Sequence, residues 1–121
     1  MKMENKHMKN TKKQGKFTLF VYREKPNYYI GVSLDFDLIQ EGKTAPETIE
    51  KIKEASLGYL ETVIKKNLSD DLLNRPAPKE YWERYRKSLR KRVGVKKLIL
   101  WNQYFQDFPY TRQSLKQLSY V

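Results

Sequence analysis

Between Tyr28 and Lys66 the chain changes its hydrophobic period from two to about 3.6 within a few residues. Residues 28–37 read YYIGVSLDFD. Tyr28, Ile30, Val32, Leu34 and Phe36 are apolar, while Tyr29, Gly31, Ser33, Asp35 and Asp37 are aromatic-polar, small or charged. That alternation predicts a strand from Tyr28 to about Asp37 with one buried face. Gly31 in its interior predicts a bulge or the close approach of another element. Leu38 to Glu41 continues as a short third strand after a bend near Asp37, and Gly42 closes it. Thr44 has the marks of a helix N-cap, because Glu47 stands at the capping-box spacing. Pro46 in the first turn lacks only an N–H that would find no partner there. Ala45, Ile49, Ile52, Ala55, Tyr59, Leu60 and Val63 then recur at steps of three and four, a stripe that faces the sheet. Asn67 ends the helix.

Upstream, Phe17 to Arg23 is dense in β-branched and aromatic residues and predicts a first strand. Phe17, Leu19 and Val21 make one of its faces, Phe20 and Tyr22 the other. Both are apolar, so the strand is expected to be covered twice or to meet a partner, and a homodimer is one way to do so. Glu24-Lys25-Pro26-Asn27 supplies turn chemistry for an antiparallel hairpin. Downstream, Arg75-Pro76-Ala77-Pro78 is an extended break. A second helix is expected at about 79–92, with Trp82, Tyr85, Leu89 and Val93 inward and Gly94 as its stop. Val95 to Phe105 fits a strand or a short buried helix, and Thr111 to Leu118 fits a weak last helix with Leu115 and Leu118 inward. The expected fold is α+β: a small antiparallel sheet of three or four strands on a long helix, in β-β-β-α order, with a basic helix after it.

Charge divides the chain in three. The net charge of +11 splits into +5 over residues 1–16, −2 over 17–78 and +8 over 79–121. Residues 1–16 hold no large apolar side chain beyond three Met and are expected to be a disordered basic leader. Residues 17–78 are then the folded ββ(β)α domain, and 79–121 a basic extension. Any attraction to a polyanion belongs to the flanks. With no Cys there is no disulfide or thiolate metal site, and no apolar run has the length of a membrane span. A cytoplasmic protein is expected.

Few residues offer chemistry. His7, the lone histidine, lies in the leader, so no serine has a histidine base elsewhere. Ser33 is expected at the strand surface and Ser56 on the helix against the sheet. Asp35 and Asp37 would share a strand face with Glu41 nearby, a pattern that serves metal binding, a solvated surface or the charged rim of a partner site. Gly42-Lys43-Thr44 lacks the upstream glycine of a phosphate loop and reads as strand stop and cap. Arg84, Arg86, Lys87, Arg90, Lys91 and Arg92 give the second helix a basic side suited to nucleic acid or to solvent.

The order of these features resembles the HicB-like antitoxins. The residues that carry the resemblance are Tyr29, Ile30, Val32, Leu34, Asp35, Asp37, Gln40, Gly42, Thr44, Glu47, Ile49, Ile52, Ala55, Tyr59 and Leu60, followed by the proline break from Arg75 to Trp82. The match covers about Phe17 to Tyr85. Lys43 stands where an acidic residue is common, and Asp35-Phe36-Asp37 replaces a frequent Asp-x-Pro-Gly turn. No helix-turn-helix or ribbon-helix-helix is visible in 79–121. The resemblance implies a partial ribonuclease H-like fold, no catalysis, no cofactor, and a small basic HicA-like ribonuclease toxin as partner. Tyr29, Asp35, Asp37 and Glu41 would meet that toxin. The alternative is a nucleic-acid-binding protein that uses the basic residues of the second helix on the same scaffold. A third possibility, a degenerate nuclease, would rest on Asp35 and Asp37.

Overall fold

A computed structural model describes residues 9–92 and 103–117. Four strands form one antiparallel sheet: β1 (Gln14–Lys25), β2 (Tyr28–Ser33), β3 (Leu38–Gly42) and β4 (Gln103–Thr111). Their order across the sheet is β3-β2-β1-β4. The helices are α1 (Ala45–Lys65), α2 (Lys79–Arg92) and the short α3 (Arg112–Gln117). The protein is therefore α+β, and the first four elements follow the expected β-β-β-α order.

The hairpin forms where the turn residues place it, with Asn27 at φ 62. β2 stops at Ser33, four residues short of the expectation. The Asp37 N–H bonds back to the Ser33 carbonyl at 2.9 Å, and Asp37 itself takes φ 58. This turn breaks the period of two, so the apolar set divides between two cores. Ile30, Val32 and Leu34 lie on one side of the sheet and Phe36 on the other, 4.9 Å from the Phe17 ring.

Both faces of β2 are covered, not one. α1 packs on the face of Phe17, Leu19 and Val21, where β2 presents the small residues Gly31 and Ser33. Ser33 is fully buried there, against the expectation of a surface position. A Cβ on Gly31 would stand 3.0 Å from Thr48 Cγ2 and 3.2 Å from Ile52 Cβ, so its glycine is the close approach foreseen from its place in the strand. The buried side of α1 includes Thr48 and Ser56, which the apolar stripe passed over. Each hydroxyl donates to a carbonyl of its own helical surroundings, Thr48 to Thr44 at 2.8 Å and Ser56 to Ile52 at 2.7 Å. Small, satisfied side chains let the helix lie close on the sheet. Ile49, Ala55 and Tyr59 sit half-buried at its flanks.

The other face carries Phe20, Tyr22, Ile30 and Val32, and α2 covers it. Tyr85 meets the rings of Phe20 at 5.7 Å and Phe105 at 5.6 Å, edge-on. Such contacts add about 0.5–1.5 kcal/mol beyond burial. The proline break carries the chain to this face, with Arg75 N–H bonding Asp35 O at 2.9 Å and Ala77 N–H bonding Leu34 O at 2.8 Å. The second apolar face of β1, the reason to expect a partner or dimer, is thus met within the chain. Leu89 is exposed rather than inward. Val93, Gly94, residues 95–102 and Leu118 lie outside the described residues.

Two further expectations change. β1 begins at Gln14, and the leader from Lys9 onward belongs to the fold. Asn10 is buried; its Nδ2 donates to Leu73 O at 2.9 Å, while Asn74 Oδ1 accepts from its N–H at 2.9 Å. Lys12 Nζ reaches Asp70 at 2.9 Å. Polar bonds order this segment, which a search for apolar side chains does not detect. Residues 1–8, with His7, lie outside the described residues. Nor does the fold divide at residue 78: β4 pairs with β1 from Gln14↔Thr111 to Tyr22↔Gln103, so 103–111 completes the sheet of the 17–78 unit.

Candidate functional site

The four residues expected to meet a partner do not form one surface. Tyr29 pairs with Gly42 and is half-buried against the α1 core. Asp35 lies in the turn beyond β2, where its Oδ1 accepts the Thr18 N–H at 2.8 Å. The Thr18 hydroxyl in turn donates to Asp107 Oδ1 at 2.9 Å. Asp35 is thus a brace between strands. Asp37 is exposed and takes a left-handed turn position outside the strand ladder. A shared strand face for Asp35 and Asp37 is therefore absent, because both residues belong to a turn. Among the described residues no group of three or more His, Cys, Asp or Glu stands together as a metal site.

Asp37 and Glu41 both stay exposed, at the two ends of the strand on the outer edge of the sheet. Among the described residues β3 has a neighbour on one side only. Its residues alternate: Leu38 and Gln40 are half-buried and Gly42 is buried toward α1, while Ile39 and Glu41 are exposed on the opposite face. Ile39 is 42% exposed, a large apolar side chain left bare. Sequence reasoning passed over it because the short run LIQE shows no period of its own; its place on a terminal strand is the missing signal. Behind it, Tyr28 projects beside Glu41. Desolvation, and then the Glu41 carboxylate, push the Tyr28 hydroxyl above its ordinary pKa. Lys51 Nζ donates to the Glu41 carbonyl at 2.9 Å and lies 3.3 Å from Glu47 Oε2.

The junction after β3 is a cap. Thr44 Oγ1 accepts the Glu47 N–H at 3.2 Å, and Glu47 Oε1 accepts the Lys43 N–H at 3.2 Å. That backbone bond, together with Lys51, holds the Glu47 carboxyl below its ordinary pKa.

On the α2 side, Arg84, Arg86 and Lys87 are exposed, interleaved with exposed Glu80 and Glu83. Arg84 lies 4.2 Å above the Tyr22 ring, so part of its charge is used inside the fold. The side chains of Arg90, Lys91 and Arg92 lie outside what the structure describes. A cleft of about 810 Å³ opens between the start of β1 and α2, lined by Asn10, Thr18, Asp35, Trp82, Tyr85 and Asp107. Its two carboxylates are those that Thr18 braces, which makes it a joint of the fold. No helix among the described residues is long and apolar enough to cross a membrane. Comparison of the chain with protein-family models, with curated proteins and with solved structures finds no match.

Proposed function

We propose that this chain is a HicB-like antitoxin: a non-catalytic, cytoplasmic binding domain on a partial ribonuclease H-like scaffold, which covers the active site of a small, basic, HicA-like mRNA-cleaving toxin. The observation that carries this reading is the outer edge of β3, where exposed Asp37 and Glu41 flank exposed Ile39. An acidic rim around an apolar residue complements a basic protein and speeds its encounter. The β-β-β-α unit, with Thr44 capping α1, is the part of the chain on which the resemblance rests. The test is co-expression with a small basic ribonuclease encoded beside this chain. Growth rescue and a stable complex are expected, both weakened by Asp37→Lys with Glu41→Lys. Failure to rescue, with no complex recovered, would sink the reading.

A nucleic-acid-binding role is the second reading, favoured by the exposed Arg84, Arg86 and Lys87 on α2 and by basic flanks. Fluorescence anisotropy against RNA and duplex DNA at two salt concentrations separates the two. Tight binding that falls steeply with salt, and falls further in an Arg86→Glu, Lys87→Glu variant, would favour nucleic acid.

A further inference from the structure

Among the described residues β3 is an open edge of an unusual kind. Terminal strands are ordinarily protected by a proline, an inward charge or a covering element, because their free backbone groups invite another strand. β4, at the other end of the sheet, has Pro109 in its length. β3 has no proline, and its second residue is the bare Ile39. Around that residue the exposed charges of the strand and its turn, Asp37 and Glu41, are acidic.

We infer that β3 binds its partner by strand addition: an extended segment of a basic protein pairs along Leu38–Gly42, sets an apolar side chain against Ile39, brings a basic side chain two positions along the strand against Glu41, and carries another on its other side to the Asp37 turn at the strand's start. This rests on the reading of the chain as a module for a basic protein and specifies how that protein is held. Backbone hydrogen bonds supply the attachment and alternate side chains the selectivity, as in other strand-addition sites. The partner sequence is therefore basic–x–apolar–x–basic in a β conformation.

A second copy of this chain is a poorer occupant. Antiparallel pairing that set one Ile39 against the other would bring the acidic turn at Asp37 of each copy up to the Glu41 end of the other. Like charges directly across a ladder are destabilising. The carboxylates that recruit a basic strand thus discourage self-pairing in the register that would bury Ile39.

Lys51 guards one end of the edge. Its ammonium occupies the Glu41 carbonyl, which an incoming strand must take over. The side chain is long and exposed, at 46%, so it can leave without disturbing α1. Lysine at a sheet edge opposes strand addition. Its removal should help the partner.

The experiment is an NMR titration of the full chain, labelled with ¹⁵N, with a blocked pentapeptide Lys-Val-Lys-Val-Lys. The acidic counterpart Glu-Val-Glu-Val-Glu serves as control. Amide shifts should concentrate on residues 38–42 with the basic peptide and be absent with the acidic one. Ile39→Lys should weaken binding about tenfold, the loss of one buried aliphatic side chain. Lys51→Ala should tighten it. Asp37→Lys with Glu41→Lys should reverse the preference between the peptides. Unchanged shifts over the buried end of α1, Leu57 to Ile64, in each variant establish that the fold is kept.

Shifts centred on α2 or β4, or binding indifferent to Ile39→Lys, would overturn the inference. So would concentration-dependent shifts at 38–42 without peptide, which would mean self-pairing. The titration contains no toxin, so it and the rescue experiment can fail separately. Rescue by Ile39→Lys as good as by the parent chain would remove strand addition and leave the antitoxin reading standing.

Discussion

The two faces of the sheet are buried by different means. Under α1 the sheet is narrow-profiled at β2, with Gly31 and Ser33, and the helix answers with Thr48 and Ser56. Bulk there comes from Phe17, Phe36, Leu57, Leu60 and Leu73, all at 2% exposure or less. Under α2 the sheet is broad, with Phe20, Tyr22, Ile30 and Val32, and the helix meets it with Trp82 and Tyr85, both half-buried. One helix lies close on a smooth surface through many small contacts. The other stands off on rings. The difference teaches that the alternation most visible in the sequence, Tyr28-x-Ile30-x-Val32, marks the face of the later helix rather than that of the helix that directly follows it.

Unequal truncation should expose this contrast most strongly. Phe17→Ala removes a fully buried ring that stacks 4.9 Å from Phe108, and about 3–5 kcal/mol of stability should go with it. Tyr85→Ala, on the standing-off helix, should cost about 1–3 kcal/mol in the same urea melts. Equal losses would mean that the two faces carry the fold alike.

Adding bulk should strike the α1 face through its close approach. Gly31→Val intrudes on Thr48 and Ile52 and should destabilise by about 1–3 kcal/mol. A crystal structure of that variant should find α1 displaced from β2 with α2 in place. An unmoved α1 would deny the close contact its role.

Alkaline titration distinguishes the faces through their tyrosines. Burial, and then the Asp70 and Asp35 carboxylates, push the Tyr110 hydroxyl on the α1 side well above its ordinary value. Tyr22 on the α2 side is also raised by burial, but Arg84 pulls it back. A raised folded pKa gives stability that is whole below the unfolded value of about 10 and is lost as pH rises through the folded one. Tyr22 should therefore ionise first, by absorbance at 295 nm, and Arg84→Ala should delay it. Tyr110→Phe should flatten the alkaline fall in stability, while giving up the 2.8 Å bond to Thr11 O, worth about 0.5–1.5 kcal/mol.

Smallest of all are two buried groups, one on each face: Ser33 Oγ and Trp82 Nε1 have no hydrogen-bond partner among the described residues. Ser33→Ala and Trp82→Phe should each leave the melting temperature level or raise it slightly, since a polar atom with no partner is removed. A clear loss at either position would reveal a bond that the static structure does not hold.

Much of this was legible in the residues. The hairpin, β3, the Thr44 cap and the 79–92 helix each rest on local chemistry: a Pro-Asn turn, a Gly stop, a capping spacing, a basic helix after a proline break. β4 was less legible because QYFQDFPYT carries aromatic side chains on both faces and a proline within, so neither period dominates. Its partner is β1, some ninety residues earlier, and nothing local announces that. The site was legible in part. Asp37 and Glu41 were named, and Ile39 was missed because exposure at an edge is a property of the sheet. Asp35 looked like a surface carboxylate until the turn placed it against Thr18.

The pairing of β1 with β4 has a consequence for how the chain is made. β1 sits inside the finished sheet, yet one of its two neighbours lies some ninety residues further along the chain. While the ribosome is still adding residues 26–102, the rail of β1 that β4 will occupy is unpaired. Closing so long a loop is slow, and unpaired rails are where nascent chains aggregate. In the nascent protein the vulnerable edge is therefore not β3 but β1, and a transcript cut short before Thr111 would release a product with that strand uncovered.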